Sequence, residues 1–484
     1  MNTHYDVLIV GAGVSGISVA CHLTRECPKK QFIILERRQA IGGTWDLFRY
    51  PGIRSDSDMM TFGYNFRPWS ETSVFADGPS IKNYVNETAR EYGVDKKIQF
   101  GLKITNAEWS SSTSQWRVTA LEEATGEIHI FTCNYLVAAT GYYNYDQAYL
   151  PEYPGRNDFK GPVIHPQHWP EKLNYKGKKV IVIGSGATAT TLVPAMAKET
   201  AHITMLQRSP SYYLSIPEND NISKFLSKFM PKRWVYDLGR KRNIFFQRLL
   251  YKSSQHVPIL FKRFLLSSAR KRVGSDFNMN HLTPNYLPWN ERLCYVPSGN
   301  FFNVLKEGKA SIVTGHIERL TENGVLLKSG QELPADIVVS ATGLKLSVLD
   351  GIEMSIDGKK FQGNEHMLYK GTLVQDVPNF AYLVGYVIQS SWTLKVDLSA
   401  DYICRLLQEM DRRGAKSVTP CAQPDEMLKE QNILGKLQSG YIKRGDESLP
   451  RQGRSPNWHV SHNYEKDIEI LIKQPVDDAA LKWK

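Results

Sequence analysis

Two glycine fingerprints in one chain constrain its fold more than any other feature. The first, Gly11-Ala12-Gly13-Val14-Ser15-Gly16, follows the apolar run Tyr5 to Val10; the second, Gly184-Ser185-Gly186-Ala187-Thr188-Ala189, follows Val180 to Ile183. A short apolar strand, glycines at its end and a helix behind them let backbone approach a pyrophosphate and aim the helix N-terminus at it. With 484 residues the chain is too long for one ordinary core. The expected class is α/β, with two Rossmann-like dinucleotide-binding domains.

In the first unit a helix is expected over Val14 to Leu23, and the next strand, Phe32 to Leu35, runs into Glu36. Gly11 permits the tight turn, Gly13 the close approach to phosphate and Gly16 the packing of helix on strand; Glu36 is placed to accept hydrogen bonds from an unphosphorylated ribose diol. Gly42-Gly43-Thr44-Trp45-Asp46 follows closely, a double glycine and a flat aromatic that suit a long ligand running into the protein. FAD is the economical assignment. In the second unit the strand His202 to Leu206 ends in Gln207-Arg208-Ser209, with no acid. An arginine there can hold a 2′-phosphate and Ser209 can add a hydrogen bond, which points to NADPH. Two further strands run into Ala139-Thr140-Gly141 and Ala341-Thr342-Gly343. These mark places where the chain approaches a cofactor or crosses between domains.

The net charge of +11 is concentrated. Residues 221–273 hold 14 Lys and Arg against the single acid Asp237, with Phe225, Phe229, Trp234, Phe245, Phe246 and Phe264 interleaved. This stretch reads as a helical insertion over 221–274. Three roles stay open: a wet basic face with a buried aromatic face, peripheral contact with an anionic membrane, or a nucleic-acid groove, though no nucleic-acid-binding signature accompanies it. No apolar run approaches the roughly 20 residues of a membrane span. The N-terminus lacks a secretory pattern, and six scattered cysteines form no C-x-x-C pair. A cytoplasmic protein with no metal site is expected.

Between the fingerprints lies Phe159-Lys160-Gly161-Pro162-Val163-Ile164-His165-Pro166-Gln167-His168-Trp169-Pro170. Phe159, Gly161, His165, Trp169 and Pro170 match the linker motif of the Baeyer–Villiger monooxygenases, and nearly the whole chain resembles that family. Residues 42–56, 141–145, 165–170 and 391–395 closely resemble a mycobacterial branch of that family, which oxygenates ketones and the sulfur of thioamides.

The resemblance implies reduction of FAD by NADPH, reaction with O2 to a C4a-peroxyflavin, and oxygen insertion into ketones to give esters or lactones, with sulfides and thioamides as further substrates. The alternative is a sister enzyme restricted to nitrogen or sulfur centres. The family's catalytic arginine maps onto Arg292 and its partner acid onto Asp56. The implied FAD contacts are Gly11, Gly13, Ser15, Gly16, Glu36, Gly43, Thr44, Trp45, Asp46, Leu47, Asp56 and Ile104. The implied NADP contacts are Arg54, Ser55, Ile183, Gly184, Ser185, Gly186, Ala187, Thr188, Ala189, Gln207, Arg208 and Ser209. His165 is read as coupling cofactor binding to domain movement. Glu291 departs from the family, where many relatives carry a lysine that helps bind the 2′-phosphate; a carboxylate there weakens the preference for NADPH. Trp392 either lines the substrate side, orders the polar loop Ser390-Ser391-Trp392-Thr393 or sits in the core.

Residues 1–144 and 331–484 are expected to form the FAD domain, and residues 145–220 and 275–330 the NADP domain. The tail from Pro420 to Lys484 reads as surface loops.

Overall fold

The computed structural model describes residues 3–291, 293–387, 390–435 and 440–484. Arg292, the expected catalytic cation, lies outside the described residues.

The first sheet contains β1 (Thr3–Val10), β2 (Phe32–Glu36), β3 (Ile98–Phe100), β4 (Leu102–Ser110), β5 (Gln115–Glu122) and β6 (Ile128–Ala138). Strands β3, β2, β1 and β6 lie parallel in that order. Their centre is buried on both faces, which is why β1 and β2 are near-continuous apolar runs instead of alternating ones. Strand β6 forks. Its early residues pair antiparallel with β5, which pairs with β4. Its last residues, Leu136 to Ala138, pair in parallel with Phe380–Tyr382. The helix Val14–Glu26 connects β1 to β2 and packs on the helix Trp392–Arg413.

The second sheet has five parallel strands in the order Ala310–Thr314, His202–Gln207, Lys179–Ile183, Ile337–Ser340 and Val163–Ile164. Ile337–Ser340 pairs in parallel with Lys179–Ile183. The chain rejoins the first sheet with Glu353–Ile356, alongside β4.

The tail is more than surface loops. Val418–Pro420 pairs with Leu481–Trp483, Met427–Asn432 pairs with Arg451–Gly453, and Trp458 and Leu471 are buried. The strands here are short, and their pairings join residues far apart in the chain, so the polar and turn-rich composition reads as loops.

The insertion forms the helices Asn221–Leu226, Lys232–His256 and Pro258–Val273. Val235, Tyr236, Gly239 and Arg240 face inward, against the first unit. Arg240 donates to the Gly63 carbonyl at 2.7 Å and pairs with Asp397 at 3.6 Å. A segment that belongs in sequence to the second unit therefore spans onto the first. The reading with a buried aromatic face holds for Tyr236 and Phe261 but not for Phe225, Phe229, Trp234, Phe245, Phe246 or Phe264, which are exposed. Among the described residues, no helix is long and apolar enough to cross a membrane.

Candidate active site

The two fingerprints share one piece of local physics. Gly11 has φ +101°, and a Cβ there would sit 2.8 Å from the Ala139 carbonyl oxygen. Gly184 has φ +133°, and a Cβ there would sit 2.4 Å from the Ala341 carbonyl oxygen. Each Ala-Thr-Gly is thus the strand end that the first glycine of its fingerprint must clear. Gly16 is tighter still: a Cβ would lie 1.9 Å from the Gly11 carbonyl oxygen, so only glycine lets the helix start so close to β1.

A cavity of about 320 Å³ opens above this turn. Of the expected FAD contacts, Gly11, Gly13, Ser15, Glu36, Gly43, Thr44, Trp45, Asp56 and Ile104 line it. Gly16, Asp46 and Leu47 do not. Gly16 packs under the turn. Asp46 is buried behind the wall, where it accepts from Arg38 Nε at 2.7 Å and Lys82 Nζ at 2.6 Å. Leu47 packs towards the core of the second unit. Glu36 is buried, and its carboxylate oxygens accept from the Ala12 amide at 2.6 Å and the Arg38 amide at 2.8 Å. Burial pushes its pKa up, against the pull of those two amides. The side-chain-free approach at Gly11 and Gly13 and a fixed acid at the end of β2 fit the pyrophosphate and ribose of FAD.

The linker motif holds the two crossings together. Segments 142–144 and 345–347 run side by side, with the Asn144 amide donating to the Lys345 carbonyl at 2.8 Å and the Ser347 amide to the Tyr142 carbonyl at 3.1 Å. His165 Nε2 reaches the Gly343 carbonyl at 3.0 Å, while Nδ1 accepts from the Gln167 amide at 3.1 Å. These partners require the neutral Nε2–H tautomer, and burial holds the His165 pKa below its usual value. Gln167 Nε2 donates to the Asn144 carbonyl at 2.8 Å. The motif therefore ties down both places where the chain passes between units. Phe159 is buried in the second unit, and a Cβ on Gly161 would lie 2.1 Å from the Asp336 carbonyl oxygen. Trp169 packs against the second core and Pro170 is exposed.

The expected NADP contacts divide. Arg54, Ser55, Ala187 and Thr188 line the first cavity. Ile183, Gly184, Ser185, Gly186, Ala189, Gln207, Arg208 and Ser209 belong to the second fingerprint turn and the strand beside it, away from that lining. Ser185 Oγ donates to the Ser209 carbonyl at 3.0 Å, which joins the two loops. Gln207 is buried and donates to the His281 carbonyl at 2.7 Å. Arg208 is exposed at the strand end. Burial raises the Glu291 pKa, and the nearby Arg208 opposes that shift, so the departing carboxylate and the expected phosphate-binding arginine are neighbours. Arg208→Ala should raise the KM for NADPH roughly tenfold or more, with the KM for NADH changed far less. Equal increases for both would remove the phosphate contact.

A second, larger cavity of about 740 Å³ adjoins the first; Asp56, Ser57, Ala187 and Ser390 line both. Its other walls include Val74 and Phe75 from the first unit, Leu293 and Tyr295 from the second, and Phe246, Leu250 and Phe261 from the insertion. Gln247 Oε1 and Trp289 Nε1 on this lining have no hydrogen-bond partner among the described residues. Arg54 Nη1 lies 3.5 Å from Asp56 Oδ1. Trp392 is not in a loop; it opens the 22-residue helix Trp392–Arg413. Its indole N–H donates to Ser15 Oγ at 2.8 Å, its ring stacks on Tyr142 at 5.2 Å, and it lines the first cavity.

Sequence reasoning missed Asp350, which also lines the first cavity. It stands in a turn with φ +51°, and no motif surrounds it. Burial pushes its pKa from 3.8 to about 6. Above pH 6 the folded protein holds a partly desolvated carboxylate; as pH falls through 6 towards 4 it takes up a proton sooner than the unfolded chain and the penalty disappears. Asp350→Asn should therefore stabilise the FAD-free protein by roughly 1–3 kcal/mol at pH 8. The gain should vanish near pH 4. Thermal unfolding at both pH values measures it, and a gain of equal size at both contradicts the assignment.

The pattern of the flavin-binding monooxygenase-like family matches residues 4–432. The chain is 54% identical to the putative FAD-containing monooxygenase MymA of Mycobacterium tuberculosis over 487 residues, covering 100% of this chain and 98% of that one. It is 44% identical to the FAD-containing monooxygenase EthA of the same organism, again over 100% and 98% of the two chains. Its fold superposes on an oxidized steroid monooxygenase bound to NADP with a TM-score of 0.80, over 99% of each chain at 21% identity.

Proposed function

Because the chain belongs to the flavin-binding monooxygenase-like family, we propose that it is an FAD- and NADPH-dependent oxygenase of Baeyer–Villiger type. It converts ketones to esters or lactones and oxygenates sulfides and thioamides. The observation that carries this reading is the place of Asp56, on the shared wall between the cavity above the first fingerprint and the larger, mostly apolar one. A cofactor in the first cavity and an organic substrate in the second would meet there.

We assign the first unit to FAD and the second to NADPH. The FAD assignment rests on Glu36 and the names of the relatives; the NADPH assignment rests on Arg208 and Ser209. When bound, FAD supplies hydride acceptance from NADPH and transfer of one oxygen atom from O2. The protein binds, orients and tunes charge. Gly13 and the helix N-terminus behind it would face the pyrophosphate, and Glu36 would accept from the ribose. Trp392, locked by Ser15 and Tyr142, closes the wall of the first cavity and limits water there. By the family resemblance, Arg292 supplies a cation that cannot lose its proton, to balance the negative charge that develops during oxygen transfer. The same resemblance makes Asp56 the acid that partners this arginine. His165 moves no proton here; as a neutral side chain bound to Gly343 it positions the crossings.

The test is NADPH consumption in air by the FAD-loaded protein, with a linear ketone and a thioether added separately. Consumption stimulated by the ketone, with ester formed, supports the reading. Sulfoxide from the thioether with no ester from any ketone would favour the sister chemistry and remove the role given to Arg292.

A further inference from the structure

The insertion presents an outward face that its role as a bridge between units does not explain. Phe229 is 73% exposed and Trp234 63%, and Ile222, Phe225, Leu238, Phe245, Ile259 and Leu260 are also exposed. On the helix Lys232–His256, Trp234, Leu238, Phe245 and Leu249 are spaced four, seven and four residues apart. At about 3.6 residues per turn they fall within roughly 60° of one another. They form one apolar stripe, opposite the buried face of Tyr236 and Arg240. Lys241 and Lys252 lie on the same stripe, and Lys224, Lys228 and Lys232 are exposed as well. The segment's one acid, Asp237, is ion-paired with Arg233 at 3.0 Å. Single exposed apolar residues are ordinary; a contiguous patch on adjacent helices is not.

We propose that this face seats on an anionic lipid bilayer, with the stripe among the acyl chains and the surrounding lysines on the phosphates. The charge chooses the occupant. A second copy would bring two strongly basic faces together. A nucleic-acid groove would put its cations, not a Trp-Leu-Phe-Leu stripe, at the centre. An amphipathic helix with aromatic and aliphatic residues on one side and lysines at its margins matches the lipid–water boundary. The mouth of the larger cavity lies on the same face, since Ile222, Phe246 and Leu249 are both exposed and part of its lining. Seated in this way, the cavity opens towards the acyl layer and takes apolar substrates that partition into the membrane. This last step rests on the oxygenation proposed above; the docking itself does not.

The test is co-sedimentation of the full-length, FAD-loaded protein with vesicles of phosphatidylglycerol and of phosphatidylcholine. The variant is Trp234→Ser/Leu238→Ser/Phe245→Ser, three positions outside both cavity linings. The wild type should bind phosphatidylglycerol vesicles, and phosphatidylcholine vesicles only weakly. The triple variant should bind phosphatidylglycerol more than about tenfold less tightly. Its turnover of a water-soluble ketone should be unchanged, while turnover of a long-chain ketone carried in vesicles should fall. Equal binding by variant and wild type, equal binding to both lipids, or self-association abolished by the same substitutions overturns the docking. Equal rates on the vesicle-borne ketone overturn membrane access to the cavity. Absence of oxygenation with either ketone would count against the proposed reaction, and sedimentation would still decide the docking.

Discussion

Arg292→Ala should lower ketone oxygenation by about two to three orders of magnitude, the usual cost of removing a preorganised donor at developing charge. Flavin reduction by NADPH, followed by stopped-flow bleaching of the flavin, should stay within about threefold of wild type, because hydride transfer places no negative charge at the substrate. Lysine should recover only part of the rate, since an ammonium lacks the fixed fork of a guanidinium. The split between the two half-reactions is what distinguishes a group acting in oxygen transfer from one that merely holds the fold. Full ester formation by the alanine variant would remove Arg292 from the chemistry, and with it the role of Asp56.

Arg240→Ala should be the most damaging substitution for stability. The guanidinium is buried and serves the Gly63 carbonyl, the Tyr236 hydroxyl and Asp397. Asp397 also accepts from Ser18 Oγ at 2.9 Å and the Asn65 amide at 2.8 Å. Removing the cation leaves a buried carboxylate without its counter-charge, which typically costs 3–5 kcal/mol. Burial already pushes the Asp397 pKa up, and Arg240 is the largest opposing influence, so the variant's carboxyl should move further up and protonate more readily. The loss should therefore be greatest at neutral pH and shrink on acidification. Denaturant unfolding at two pH values measures this. A loss below about 1 kcal/mol would mean that the other contacts, among them Asn243 and Gln247 on Asp58, hold the insertion to the first unit without Arg240.

The parts legible in the sequence are those written in local patterns. β1 with its glycines, β2 ending in Glu36, and Ala187–Met196 behind the second fingerprint follow from apolar runs, turn glycines and helix starts a few residues apart. So does the helical nature of the insertion. What escaped depends on distant partners. Ile337–Ser340 is a buried strand by composition, but only its pairing with Lys179–Ile183 says which sheet it completes. Ser390-Ser391-Trp392 reads as a polar loop, yet Trp392 starts a helix and is fixed by Ser15, far away in the chain. Asp46 sits in a cofactor-like motif, but two basic partners draw it behind the cavity wall. Asp350 reaches the cavity through a turn with no signature at all. The insertion's outward aromatic stripe went the other way: amphipathic patterning shows that two faces differ, not which of them is buried.

The most direct test of the central claim is the mass of the product formed from a linear ketone by the FAD-loaded protein with NADPH under isotopically heavy O2. The account predicts an ester carrying one heavy oxygen per molecule, formed in step with NADPH consumed. Ketones recovered unchanged while a thioether yields labelled sulfoxide would contradict it.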